Sequence, residues 1–165
     1  MLIRRERPSD VPVIAGIHAA AFAGEAEKNL VTALRASDAW LPSLSLVAEQ
    51  DGRVVGHVVC TRAHVGTVPA LGLGPLGVVP PAQKSGVGSA LMHAVLGAAD
   101  ALDEPVVVLL GHTGYYPRFG FAPATTLGIE PPAPEWGAHF QARPLSTYDT
   151  SIRGPFAYAA PFDDL

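Results

Sequence analysis

The chain has little material for covalent or electrostatic scaffolding. Among 165 residues there is one cysteine, Cys60, so neither an internal disulfide nor a multi-thiolate metal site can form, and a reducing, cytoplasmic setting is the expectation. Charged residues make up only 16%, and 11 Lys plus Arg stand against 15 Asp plus Glu for a net charge of −4. With no basic excess to neutralise a phosphate backbone, nucleic acid is not the expected partner. No apolar run approaches the ~18 residues of a membrane span, so no membrane is expected either. The six histidines form no H-E-x-x-H and no Cys/His ligand spacing, and no metal is expected. Arg4, Arg5 and Arg7 followed by apolar Val11 to Ala23 imitate a secretory signal. Glu6 and Asp10 among the basic residues, and Pro12 and His18 in the apolar run, argue against it, and Asp10 is well placed to cap a helix.

What is abundant is apolar residues, at 48%, together with 17 Gly and 16 Pro. These describe one globular domain, residues 1–165, with a sizeable core and many turns. Leu2 to Arg7 reads as a strand. Val13, Ile14, Ile17, Ala21 and Phe22 recur at helical spacing up to Gly24, and Glu25 to Ala36 gives a second helix with Leu30, Val31 and Leu34 on one face. Leu44 to Glu49 and Arg53 to Thr61 flank Asp51-Gly52 and predict a hairpin. Leu71 to Val79 is a glycine-rich strand, Gly86 to Leu102 an amphipathic helix, and Pro105 to Leu110 a buried strand. A short helix near Tyr115 to Phe119 and a final hairpin of Phe140 to Leu145 with Gly154 to Ala159 complete the chain. The fold class is α/β, a mixed sheet with one parallel crossover through the Gly86 helix.

Several motifs fail on inspection. Gly72-Leu73-Gly74-Pro75-Leu76-Gly77 spells G-x-G-x-x-G, but Pro75, Pro80 and Pro81 forbid the helix that must open within a dinucleotide fingerprint. A glycine-loosened, bulged strand fits better. Lys84-Ser85 lacks the preceding Gly of a phosphate-binding P-loop, and Ser85 lacks the flanking glycines of a nucleophile elbow. Cys60 reads as a small buried hydrophobe.

Gln83-Lys84-Ser85-Gly86-Val87-Gly88-Ser89, between a strand and an amphipathic helix, is the informative segment. Glycines at 86 and 88 let backbone approach a phosphate, and the helix start supplies free N–H groups and a positive dipole end. A pyrophosphate is the natural guest. The Q-x-x-G-x-G run at 83–88 resembles the acyl-CoA signature of the GNAT acetyltransferases. Gly111-His112-Thr113-Gly114-Tyr115-Tyr116-Pro117-Arg118-Phe119-Gly120-Phe121 is similar to the tyrosine-bearing segment of that family, which ends in Gly-Phe, and the element order matches its topology.

The resemblance implies a central twisted, mostly antiparallel sheet, splayed between two parallel strands and flanked by helices. It implies an N-acetyltransferase that moves an acetyl group from acetyl-CoA to an amine by direct transfer. Leu76, Gly77 and Val78 would pair with the pantetheine amides, and Gln83, Lys84, Ser85, Gly86, Val87, Gly88 and Ser89 would hold the pyrophosphate. A backbone N–H of Val78 or Leu76 would stabilise the oxyanion. Tyr116 would protonate the departing thiolate, with neighbouring Tyr115 as the competing candidate. The strand Leu71 to Val79 lacks the Asp or Glu that many relatives carry, which leaves His57, His112, Glu25 or water as the base. The same gap keeps a second reading open, a non-catalytic acyl-CoA-binding or regulatory module. The acceptor is not specified, and the apolar composition and C-terminal strands are compatible with a homodimer.

Overall fold

A computed structural model describes all 165 residues. Leu2–Arg5 (β1) leads into helices Val11–Phe22 (α1) and Ala26–Arg35 (α2), then strands Ser45–Gln50 (β2), Arg53–Val65 (β3) and Val68–Val78 (β4). Helix Val87–Ala101 (α3) follows, then Val106–Leu110 (β5), Ala122–Pro123 (β6), Ile129–Glu130 (β7), Phe140–Pro144 (β8) and Gly154–Ala157 (β9). The main sheet runs β1-β2-β3-β4-β5-β8-β6, with β9 on the far end of β3 and β7 beside β9. The pairs are antiparallel except β4 with β5, which run parallel through the α3 crossover, and the two-residue pairing of β7 with β9, which is also parallel. Such a crossover needs a connection of a dozen or more residues, which is why β4 and β5 enclose a helix rather than a turn.

Local chemistry accounts for the main elements. Asp51 and Gly52 take positive φ of 50° and 76°, the paired left-handed conformation of a tight hairpin turn, and fix the β2–β3 register. The apolar stripe of α3 buries Val87, Leu91, Met92 and Val95 against Leu46, Val58, Leu71 and Leu109 of the sheet, each worth roughly 1.5–3 kcal/mol in apolar area removed from water. Gly56 lets the helix approach, since a Cβ there would stand 2.9 Å from Leu91 Cδ1 and 3.0 Å from Val87 Cγ1. On the opposite face, α1 and α2 cover β2 through Ile14, Val31 and Val47. The C-terminal third covers β3 to β5 through Phe140, Phe156, Val106 and Val108.

Three expectations are corrected. Asp10 does not cap α1 with its side chain; its carboxylate accepts the Arg7 N–H at 2.7 Å and pairs with Arg4 at 2.8 Å, tying β1 to the helix entrance. The last two strands are not a hairpin, because β8 pairs with β5 and β6 while β9 pairs with β3 and β7. Strands β3 and β4 also run beyond Thr61 and start before Leu71, pairing out to Val65 and Val68.

Candidate active site

The parallel ladder of β4 with β5 is short, joining only Leu71 to Val107 and Gly72 to Val108. Beyond Gly72 the two strands separate, and β4 faces an open cleft. Between the Leu76–Val58 and Leu73–Cys60 pairs, β4 advances three residues to two on β3, so it carries a bulge, containing a cis Gly74–Pro75 peptide. Val79 N–H donates to Val55 at 2.9 Å. Because hydrogen-bonded pairs alternate along an antiparallel ladder, Gly77 turns its backbone groups to β3, whereas Leu76 and Val78 turn theirs to the cleft. Of the three residues expected to meet a ligand's amides, Leu76 turns its N–H and carbonyl to the cleft, Val78 turns its N–H there while its carbonyl accepts Gln83 Nε2, and Gly77 does neither.

The loop into α3 is preorganised. Gln83 Nε2 donates to the Val78 carbonyl at 2.9 Å, tying loop to strand, and Ser85 Oγ donates to the Ala82 carbonyl at 2.5 Å. Lys84 and Gly86 adopt positive φ of 60° and 92°, and a side chain at Gly86 would point into open space. The amides of Lys84, Ser85 and Gly86 donate to no backbone carbonyl, and those of the first turn of α3 are free by helix geometry. The result is a concave set of donors at a positive dipole end.

These parts meet in a groove of about 610 Å³, within the ~300–1,000 Å³ range of small-molecule sites. Leu76 and Val78 form one wall; Gln83, Lys84, Gly86, Gly88 and Ser89 form the loop end. Gly77, Ser85, Val87 and Tyr116 do not line it; Val87 is instead in the core beneath α3, and Tyr116 packs against the same cluster. The remaining lining comes from Tyr115, the alternative to Tyr116 in the sequence reading, and from Ala21, Phe22 and Arg118, which were not singled out as cofactor or catalytic residues. Arg118 lay within the recognised tyrosine segment, and its charge was the available signal. Its guanidinium stands 4.7 Å from the Tyr115 ring centroid while Nε donates to the Tyr115 carbonyl at 2.9 Å, so that a second cation besides Lys84 lines the groove.

The two tyrosines occupy different places. A Cβ at Gly88 would sit 3.0 Å from the Tyr115 hydroxyl, which therefore lies at the start of α3. Tyr116 turns to the end of β5, its ring so close to Gly111 that a Cβ there would stand 2.4 Å from Cε2. Burial, with Tyr115 adding to it, pushes the Tyr116 phenol up to about 12, so it stays protonated at neutral pH. Among the base candidates, Glu25 is exposed and paired with Lys28, and His112 is exposed at the end of β5. His57 is completely enclosed. Cys60 is also fully buried, and burial raises its pKa, so it remains an inert thiol.

No helix is long and apolar enough to cross a membrane, and no group of three or more His, Cys, Asp or Glu is placed to hold a metal. The model of the Acetyltransferase (GNAT) domain family matches residues 2–124. An uncharacterized N-acetyltransferase of Escherichia coli K12, YjhQ, is 32% identical over 168 residues, covering 93% of this chain and 89% of its own. The crystal structure of the Escherichia coli GNAT family N-acetyltransferase YhbS in complex with CoA superposes with a TM-score of 0.90 at 30% identity, over 98% of this chain and 91% of that one. A GNAT family acetyltransferase of Brucella melitensis in complex with acetyl-CoA is similar at a TM-score of 0.81 and 36% identity, over 98% and 97% of the two chains. The family match over residues 2–124, with relatives and a solved structure alike over nearly the whole length, makes this chain a member of the GNAT N-acetyltransferase family.

Proposed function

We infer that the chain, acting as one domain, binds acetyl-CoA in the groove beside β4 and transfers its acetyl group directly to a primary amine. The observation that carries this reading is the pairing of a strand edge turned to the cleft, Leu76 and the Val78 N–H, with a cationic, amide-lined loop at the N-terminus of α3. A pantetheine arm needs the first and a pyrophosphate the second. The groove is apolar along β4 and polar at the loop, and the open space over Gly86 leaves room for a phosphate. The complexes of the two similar enzymes with CoA and acetyl-CoA support the same assignment.

Lys84 and Arg118 neutralise phosphate charge, and the loop amides supply directional hydrogen bonds. A backbone N–H of Leu76 or Val78, turned to the cleft, stabilises the oxyanion as the amine attacks the thioester carbonyl. Tyr116 donates a proton to the departing thiolate. A thiol of pKa near ~8.5 is a fair leaving group, and a phenol kept protonated by burial is a donor throughout the neutral range. The Tyr115 hydroxyl, close to Gly88, supports reading that residue as a contact at the phosphate end instead. The enclosed thiol of Cys60 is in keeping with a reducing, cytoplasmic setting.

The test is release of free thiol from acetyl-CoA over a panel of amino acids, polyamines, peptide N-termini and aminoglycosides. Acetylation of one class above the no-amine background is expected, and hydrolysis without transfer to any amine contradicts the reading.

A further inference from the structure

The groove leaves unused the most polar part of the interior. Glu6, just beyond β1, accepts Nε and Nη2 of Arg35 at 3.0 and 3.2 Å, and also the hydroxyl of Ser45. Ser45 Oγ lies 2.8 Å from His57 Nε2, and His57 Nδ1 lies 2.8 Å from His18 Nε2. Ser45, His57 and His18 are all fully buried.

Counting hydrogens fixes the direction of this chain. Burial opposes the Glu6 charge, but His57 Nε2 3.6 Å away and hydrogen bonds from Arg35 and Ser45 outweigh it and lower the pKa to about 2, so Glu6 is a carboxylate that only accepts. Ser45 therefore gives its one hydroxyl hydrogen to Glu6 and accepts from His57. Burial keeps His57 neutral, so with hydrogen on Nε2 its Nδ1 is a lone pair that accepts Nε2–H of His18. His18 is left with a bare Nδ1, one of two buried side-chain polar atoms without a partner. Each hydrogen bond points from His18 toward Glu6.

That lone pair lies directly behind the groove wall. It abuts β4 at Gly77, where a Cβ would stand 2.7 Å away, between the groove residues Leu76 and Val78. Phe22, one turn along α1, stacks on the His18 ring at 6.0 Å, lines the groove and is 41% exposed. We propose that His18 Nδ1 is the general base for the attacking amine, uncovered by displacement of Phe22, with His57, Ser45 and Glu6 as positioning residues that set its tautomer and stabilise its charge. This rests on the acetyl-transfer reading.

In the step, the amine nitrogen bonds to the acetyl carbon, the C–S bond breaks, the N–H proton goes to His18 Nδ1 and Tyr116 gives its proton to the thiolate. His18 then releases a proton to water and Tyr116 regains one, leaving amide and thiol. The charged and titratable groups facing the two rings are Glu6, Asp10 and Arg35. In the free protein, burial, then His57 and Arg35, lower the His18 pKa to about 3, which holds the lone pair open at rest. A neighbouring anion favours the charged form of a base, so His18 takes its charge as the oxyanion forms.

Two measurements test this. Long-range ¹⁵N–¹H correlation on the full chain labelled at histidine is expected to show His18 with hydrogen on Nε2 and a bare Nδ1; hydrogen on Nδ1 overturns the proposal. Ser45→Ala is expected to mix the His18 tautomers while acetyl-CoA affinity holds, and a His18 tautomer unmoved by that change counts against the relay. With the best amine of the panel, His18→Gln is expected to lower kcat by at least about 100-fold with acetyl-CoA affinity within about twofold. Parent-like turnover by folded His18→Gln overturns the base assignment alone, whereas no transfer by the parent protein to any amine overturns the transfer reading and the base assignment with it.

Discussion

Replacing Tyr116 by Phe isolates the proposed acid. The substitution keeps the ring that packs on Gly111 and stands 6.0 Å from Phe121. The phenol is shifted by burial and by Tyr115, and by no hydrogen bond, so its removal orphans no partner and should change stability by less than about 0.5 kcal/mol. Positioned proton donors contribute typically ~10²–10⁴ in rate. At about 1.36 kcal/mol per factor of ten, the transition state loses roughly 2.7–5.4 kcal/mol. Neither Lys84, Arg118 nor the loop amides are touched, so acetyl-CoA affinity should stay within about twofold. The assay is thiol release at saturating acetyl-CoA and amine, with calorimetric affinity and thermal unfolding measured on the same preparation. Tyr115→Phe is the control, expected to weaken cofactor binding with little loss of kcat. Near-parental kcat for Tyr116→Phe beside a large loss for Tyr115→Phe would refute the assignment and exchange the two roles.

Two further predictions concern the scaffold. Gly56→Ala places a methyl 2.9 Å from Leu91 Cδ1 and 3.0 Å from Val87 Cγ1; it should cost about 1–3 kcal/mol by overpacking and, by shifting the start of α3, weaken acetyl-CoA binding, read by denaturant unfolding and calorimetry. Acid should destabilise the protein in two overlapping windows. Burial lowers the His18 pKa from the ordinary 6.5 to about 3, so the unfolded chain binds the extra proton and stability falls as pH drops from 6.5 toward 3. Glu6, lowered from 4.5 to about 2, adds stability present above 4.5 that is lost as pH falls toward 2. Urea midpoints measured from pH 8 to pH 3 check the sign, and a midpoint that rises on acidification contradicts it.

The shape of the loop into α3 was legible in the sequence because it is local: Gly86 sets the backbone turn, and the amphipathic stripe from Val87 on sets the helix that follows. The bulge in β4 was legible for the same reason, since Gly74 and Pro75 disturb a ladder wherever it forms. Phe22 and Arg118 reach the groove only through tertiary packing, from α1 and from the segment after β5, and no spacing relates them to Gly86. Likewise His18 and His57, 39 residues apart, are bonded because α1 lies over β3. The false hairpin arose because alternation marks Phe140–Pro144 and Gly154–Ala157 as strands without naming their partners. The two-residue β6 and β7 are too short to produce a periodic signal.

The central claim is that the loop at the start of α3 holds the phosphates of acetyl-CoA. Its most direct test is calorimetric titration of acetyl-CoA into the parent protein, freed of co-purified cofactor, and into Gly86→Glu, which puts bulk and negative charge into the open space over the loop. The account predicts saturable one-to-one binding by the parent and a loss of at least about 100-fold, near 2.7 kcal/mol, in a variant that remains folded. Absence of binding by folded parent protein, or equal binding by both proteins, would contradict it.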